Sequence, residues 1–162
     1  MNRLHIIGLK NSGKTTLMVD LTAELTRRGL IVGTIKHTSH TYDLDTPGKD
    51  SHRHRKAGAS PAGIITPDTL GVFIPRLPGV DPYAGIGSLY ASCNIILVEG
   101  DQESSAPKIE MWRAGTGAAP MAETGTGILA VVTDDEVEVS IPVWPRKDIR
   151  GVADRIIQLP TG

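Results

Sequence analysis

The chain has 162 residues, 40% hydrophobic and 22% charged, which suits one compact globular domain spanning 1–162. Seventeen basic residues against 18 acidic ones give a formal charge of −1, without the basic surplus that coating a nucleic acid requires. No apolar run approaches the ~18 residues of a membrane span, the N-terminus turns to glycine too soon for a signal peptide, and the single cysteine, Cys93, excludes an internal disulfide and a multi-cysteine zinc site.

That cysteine usage fits a reducing cytoplasm. Eighteen glycines and 11 prolines point to long, shaped loops. Leu4 to Ile7 reads as a short buried strand ending at Gly8. From Lys14 to Arg28, Leu17, Met18, Leu21 and Leu25 share one helical face, and Gly29 supplies the stop. Ile31 to Ile35 reads as the next strand, so the first 35 residues have the size of a right-handed parallel crossover. The stretch from Lys36 to Lys56 is polar and His-rich, with a short helix expected from about Asp50. Ala62–Ile65 and Gly71–Ile74 read as strands around a Pro67-Asp68 turn. Pro82 to Ser92 reads as a helix weakened by Gly85 and Gly87. Asn94 to Val98 is nearly all apolar, as a strand covered on both faces should be. Lys108 to Trp112 alternates, which predicts a half-exposed strand, with Met111 and Trp112 either packed or at an interface. Ile128 to Val132 reads as another apolar strand, and Ile149, Val152, Ile156 and Leu159 predict a closing helix over 148–159. Cys93, Trp112 and Trp144 read as packing residues.

The strongest motif is Gly8-Leu9-Lys10-Asn11-Ser12-Gly13-Lys14-Thr15, a full match to G-x-x-x-x-G-K-[ST] between an apolar strand and an amphipathic helix. Glycines let the backbone wrap a phosphate with its N–H groups, and a helix N-terminus adds positive potential. Lys14 is expected at the β- and γ-phosphates, the Thr15 hydroxyl on Mg²⁺, and Thr16 on a phosphate nearer the nucleoside. Glu99 follows the apolar run Ile95–Val98, as an acid serving Mg²⁺ or orienting water would. Gly100 lets the backbone pass close to the nucleotide.

His37, His40, His52 and His54 cluster with Asp43 and Asp45, but without the spacing of a known zinc motif. The neighbouring Lys49, Arg53, Arg55 and Lys56 suit a second anion, or else form a solvated basic helix balanced by acids. Asp134, just after a late strand, stands where a guanine-reading acid sits in many GTP-binding folds, although the usual Lys is missing, and an acidic turn Asp134-Asp135-Glu136 reads equally well.

These residues, in order, resemble the molybdopterin-guanine dinucleotide biosynthesis protein B family. The matching pieces are Gly8 to Leu17, Val32 to His37, Asp45 to Ser51 with Arg53 and Ala57-Gly58-Ala59, Leu97 to Gly100, Pro107 to Glu110, and Val131 to Asp134. After Glu99-Gly100 the family usually has Phe-Lys, where this chain has Asp101-Gln102. The resemblance implies a GTP-binding protein of molybdenum cofactor maturation, weakly GTP-hydrolysing and homodimeric. It would assist the guanylyltransferase that joins GMP to molybdopterin.

The expected fold is an α/β P-loop NTPase domain with a largely parallel central sheet flanked by helices, made mixed by strands after residue 60. The expected nucleotide-binding residues are Gly8, Asn11, Ser12, Gly13, Lys14, Thr15, Thr16 and Asp134, with Lys49 and Arg53 on a second anion. Lys14 and Glu99 are the expected catalytic pair, and Thr15, Glu99 and Asp45 the expected Mg²⁺ ligands. GTP and Mg²⁺ are the expected cofactors; the expected partners are molybdopterin or the molybdenum cofactor, the guanylyltransferase and a second copy of the chain. The competing readings are a small-molecule P-loop kinase, with Arg53 and Arg55 as lid arginines, and a GTP-dependent metal chaperone using the His-rich loop.

Overall fold

The computed structural model describes residues 2–159. The chain divides into two compact units, Met1–Thr38 with Ser88–Gly162, and Ser39–Gly87. The first unit carries six parallel strands: β1 (Arg3–Ile7), β2 (Val32–Lys36), β5 (Ile95–Glu99), β6 (Lys108–Met111), β7 (Ile128–Thr133) and β8 (Val143–Pro145). Their order across the sheet is β2-β5-β1-β6-β7-β8. The second unit holds α2 (Asp50–Lys56) and an antiparallel ribbon of β3 (Ala62–Ile65) and β4 (Leu70–Phe73). The strands after residue 60 therefore do not make the central sheet mixed. They pair with each other, and all five pairings of the large sheet are parallel.

Helices α1 (Lys14–Arg27) and α3 (Ile149–Ile157) pack on one face of this sheet. Their apolar stripes, Leu17, Met18, Leu21 and Leu25 with Val152, Ala153 and Ile156, meet Leu4, Ile6, Leu97, Ile109, Met111 and Val132. Helix α1 ends as its Gly29 foretells, with Gly29 N–H bonded to the Thr26 carbonyl at 2.9 Å and Leu30 N–H to that of Leu25 at 3.2 Å. Helix α3 starts on Asp148, whose carboxylate accepts from Gly151 N–H at 3.0 Å. No helix of the described residues is long and apolar enough to cross a membrane.

Strand β6 corrects an expectation. It lies between β1 and β7, so both its edges are paired, and all four of its residues are buried. Its polar members have partners: Glu110 accepts from Met121 N–H and Ala122 N–H, each at 2.9 Å, and Lys108 donates to the Ser104 carbonyl. Trp112 and Trp144 are buried. The segment 82–92 also differs from expectation: only Ala84–Tyr90 is helical, as a 3₁₀ segment with no buried residue. Two glycines within seven residues deprive an α-helix of both propensity and apolar surface.

At the end of α1, Glu24 receives hydrogen bonds from Arg27 and Arg28, which hold its carboxyl down from the ordinary 4.5 to about 2. A depressed carboxyl stabilises the fold fully above its unfolded value, and that contribution is lost as pH falls toward the folded one. The stability of wild type should therefore drop between pH 4.5 and 2, and Glu24→Gln should flatten that drop. Thermal midpoints measured across that window check this; identical pH profiles would refute it.

Candidate functional site

The loop after β1 lies at the carboxyl edge of the parallel sheet, where the strand order reverses around β1 and ligands of such sheets bind. Gly8 begins it at φ 141, and a Cβ there would stand 2.3 Å from the Met111 carbonyl oxygen. Asn11 sits in the left-handed region at φ 65, which asparagine tolerates well. Ser12 is buried, and its Oγ has no hydrogen-bond partner among the described residues. Gly13 then leads into α1, so the free N–H groups of the first turn face the loop.

A cleft of about 470 Å³ opens over this loop, lined by Lys10, Asn11, Gly13, Lys14, Thr15, Thr16, Lys36, Glu99 and Arg113. Four cations surround a single carboxylate, so the cleft is strongly positive. Thr15 Oγ1 donates to Glu99 Oε1 at 3.0 Å, and Lys36 Nζ lies 3.4 Å from the same oxygen. Lys14 Nζ donates to the Leu9 carbonyl at 2.6 Å. Burial holds the Lys14 ammonium below the usual lysine range, with Glu99 opposing that shift and Lys36 adding to it. Such a site is built to take up an anion. Thr15 and Glu99 also present two hard oxygen donors at one point, the chemistry Mg²⁺ prefers.

Gly100, at φ 94, serves a contact the sequence does not reveal. A Cβ there would stand 2.7 Å from the His37 carbonyl oxygen, so the glycine admits the end of β2. Asp101 follows at φ 61, its carboxylate 3.8 Å from His37 Nδ1.

Of the expected residues, the glycine loop, Lys14, Thr15, Thr16 and Glu99 come together. Asp134 is exposed at the end of β7, and its Oδ1 accepts from Lys147 N–H at 2.9 Å, tying β7 to the segment after β8. Asp45, expected on Mg²⁺, belongs to the other unit. It is buried there, accepts from Ser51 Oγ at 3.0 Å and lies 3.6 Å from Arg55 Nε. Arg55 also bonds Asp43 at 2.6 Å and stacks over Phe73 at 4.9 Å. Lys49 and Arg53 are exposed on that unit, Arg53 being 3.9 Å from Asp50.

His52 lies between Gly48 N–H and Asp43, His40 meets the Tyr42 ring edge-on, and among the described residues no three His, Cys, Asp or Glu side chains could hold a metal ion. Sequence reasoning alone passes over Arg113 and gives Lys36 no role. The available signal is position: each stands at or just beyond the carboxyl end of a parallel strand.

Comparison with known proteins agrees with this architecture. The family model described as molybdopterin guanine dinucleotide synthesis protein B matches residues 3–134. The molybdopterin-guanine dinucleotide biosynthesis adapter protein of Escherichia coli (strain K12) is 31% identical over 152 residues, covering 91% of this chain and 86% of that protein. The adapter protein of the same description from Haemophilus influenzae is 32% identical over 155 residues, covering 94% and 86%. The crystal structure of a MobB protein homolog from Bacillus stearothermophilus superposes with a TM-score of 0.67 at 25% identity, over 96% of this chain and 98% of that one. The glycine loop, the acid ending β5 and the ordered segments between them all lie within the matched span. The chain belongs to the molybdopterin guanine dinucleotide synthesis protein B family.

Proposed function

We propose that this chain is an adapter of molybdopterin-guanine dinucleotide biosynthesis that binds GTP with Mg²⁺ at the Gly8–Thr15 loop and hydrolyses it weakly. It assists the guanylyltransferase that joins GMP to molybdopterin, in the cytoplasm. The observation that carries the nucleotide reading is the convergence of Lys14, Thr15 and Glu99 in one cationic cleft, with Thr15 Oγ1 3.0 Å from Glu99 Oε1.

In this reading the loop N–H groups and the N-terminus of α1 bind the phosphate oxygens. Lys14 leaves the Leu9 carbonyl and neutralises phosphate charge, which restores a partner to a partly desolvated ammonium. Thr15 and Glu99 would hold Mg²⁺, which when bound offsets charge on the β- and γ-phosphates. Asp134 is our candidate for reading guanine. A carboxylate suits the two guanine donors, and Asp134 stands at the carboxyl end of β7 in the same sheet. Lys49 and Arg53 are our candidates for an anionic group of the pterin, supported by their exposure and by the long Arg53–Asp50 separation. The exposed apolar residues Ile64, Ile65, Leu70 and Val72 of the β3–β4 ribbon support association of two copies. The family speaks against the kinase and metal-chaperone readings.

Calorimetry of GTP and ATP with and without Mg²⁺ tests this. GTP should bind more tightly than ATP, and Glu99→Gln should weaken binding with Mg²⁺ more than binding in EDTA. Removing one charged hydrogen-bonding partner costs about 1.5–3 kcal/mol. Equal losses with and without Mg²⁺ would remove Glu99 from the metal.

A further inference from the structure

Arg113 stands one residue beyond the buried segment of β6 and Trp112, in the loop that overhangs the glycine loop. Its guanidinium lines the cleft, and a Cβ on Gly13 would lie 3.3 Å from its terminal nitrogen. The guanidinium makes no hydrogen bond or ion pair among the described residues, although Lys10, Lys14 and Lys36 line the same cleft. Glu99 is the one carboxylate against four cations in this cleft, so holding Arg113 there is unfavourable until an anion arrives.

The backbone carrying Arg113 is fixed on both sides. Trp112 N–H bonds the Val132 carbonyl at 3.2 Å. Ala114 N–H bonds Asp135 Oδ2 at 2.8 Å, and Asp135 N–H bonds Thr133 Oγ1 at 3.0 Å. Thr116 Oγ1 closes the turn on the Arg113 carbonyl at 2.7 Å. Both neighbours of Arg113 are thus bonded to β7 or to the residues that follow it. This is the construction expected of a charge that must be positioned before its ligand binds.

We propose that Arg113 is an intramolecular phosphate-binding arginine that engages the nucleotide's polyphosphate over Gly13. Asp135 is its positioning residue, acting through the Ala114 N–H. The proposal rests on the nucleotide reading of the glycine loop. A guanidinium presents a planar fork that matches phosphate oxygens, which a lysine ammonium does not. It adds to Lys14 a second charge, carried by the segment that follows β6. It also makes the turn after β7 part of the phosphate site, so residues 133–135 serve both ends of one ligand if Asp134 reads the base.

The test is titration calorimetry of GTP with Mg²⁺ against wild type, Arg113→Ala, Arg113→Lys, Asp135→Ala and Asp135→Asn. Each variant's thermal midpoint is also measured without nucleotide. Arg113→Ala should weaken GTP by about 10- to 100-fold, the range for removing a hydrogen bond between charged groups, and leave the ligand-free midpoint in place. Arg113→Lys should recover only part of the loss. Asp135→Ala should weaken GTP by roughly fivefold, as expected when one positioning hydrogen bond is removed. Asp135→Asn keeps an acceptor oxygen and should restore wild-type binding. Arg113→Ala binding GTP as tightly as wild type overturns the proposal alone. An Asp135→Asn protein as weak as Asp135→Ala overturns the positioning role. Wild type that binds no GTP overturns the nucleotide reading and the proposal together.

Discussion

Lys14→Ala should lose about 3 kcal/mol of GTP binding, roughly a hundredfold in affinity, while the ligand-free protein keeps its stability. The first half follows from the position of Lys14 in the cleft beside Thr15 and Glu99. The second follows from its protonation. Burial disfavours the Lys14 ammonium, and its single hydrogen bond goes to the Leu9 carbonyl of its own loop. Removing such a group costs the free protein one local hydrogen bond, about 1 kcal/mol, and relieves a desolvated charge. Calorimetry read beside the thermal midpoint without nucleotide separates the two halves. Unchanged GTP affinity would reassign the cleft.

Gly8→Ala should be damaging to the fold itself. The backbone there has φ 141, and the added methyl would lie 2.3 Å from the Met111 carbonyl oxygen and 2.9 Å from Ser12 Oγ. Neither neighbour can give way cheaply. Met111 is a buried residue of β6 and Ser12 is buried within the loop. Backbone strain and overpacking each contribute about 1–3 kcal/mol, so the combined loss is a large fraction of a small domain's stability. Urea denaturation of Gly8→Ala reads it directly. A denaturation midpoint equal to wild type would mean that β1 and β6 can separate at their carboxyl ends without penalty.

Most of the first unit is legible in the sequence because its signals are local. Apolar runs bounded by glycine mark β1 and β5, helical spacing marks α1 and α3, and the glycine loop has a fixed length. β8 is not legible, because three residues between Pro142 and Arg146 carry no periodicity; their pairing with β7 depends on Val131 and Thr133 lying alongside. The polar Lys108 and Glu110 disguise β6 as a half-exposed strand. Their partners, Ser104, Met121 and Ala122, come from a loop before it and a short 3₁₀ turn, Met121–Glu123, after it. The partners of Asp45, Ser51 and Arg55, are recognisable only once α2 has formed.

Contiguous patterns in the chain fix the glycine loop, the strand before it, the helix after it and the acid that ends β5. Each is a contiguous pattern whose chemistry is complete within a few residues. Tertiary structure alone decided which distant side chains share the cleft. The parallel order β2-β5-β1-β6 brings the carboxyl ends of four strands together, and with them Lys36, Glu99, the glycine loop and Arg113. Residues 36, 99 and 113 have no common spacing in the chain. They meet because parallel strands in register end on one edge, and that edge is where α1 presents its unpaired N–H groups.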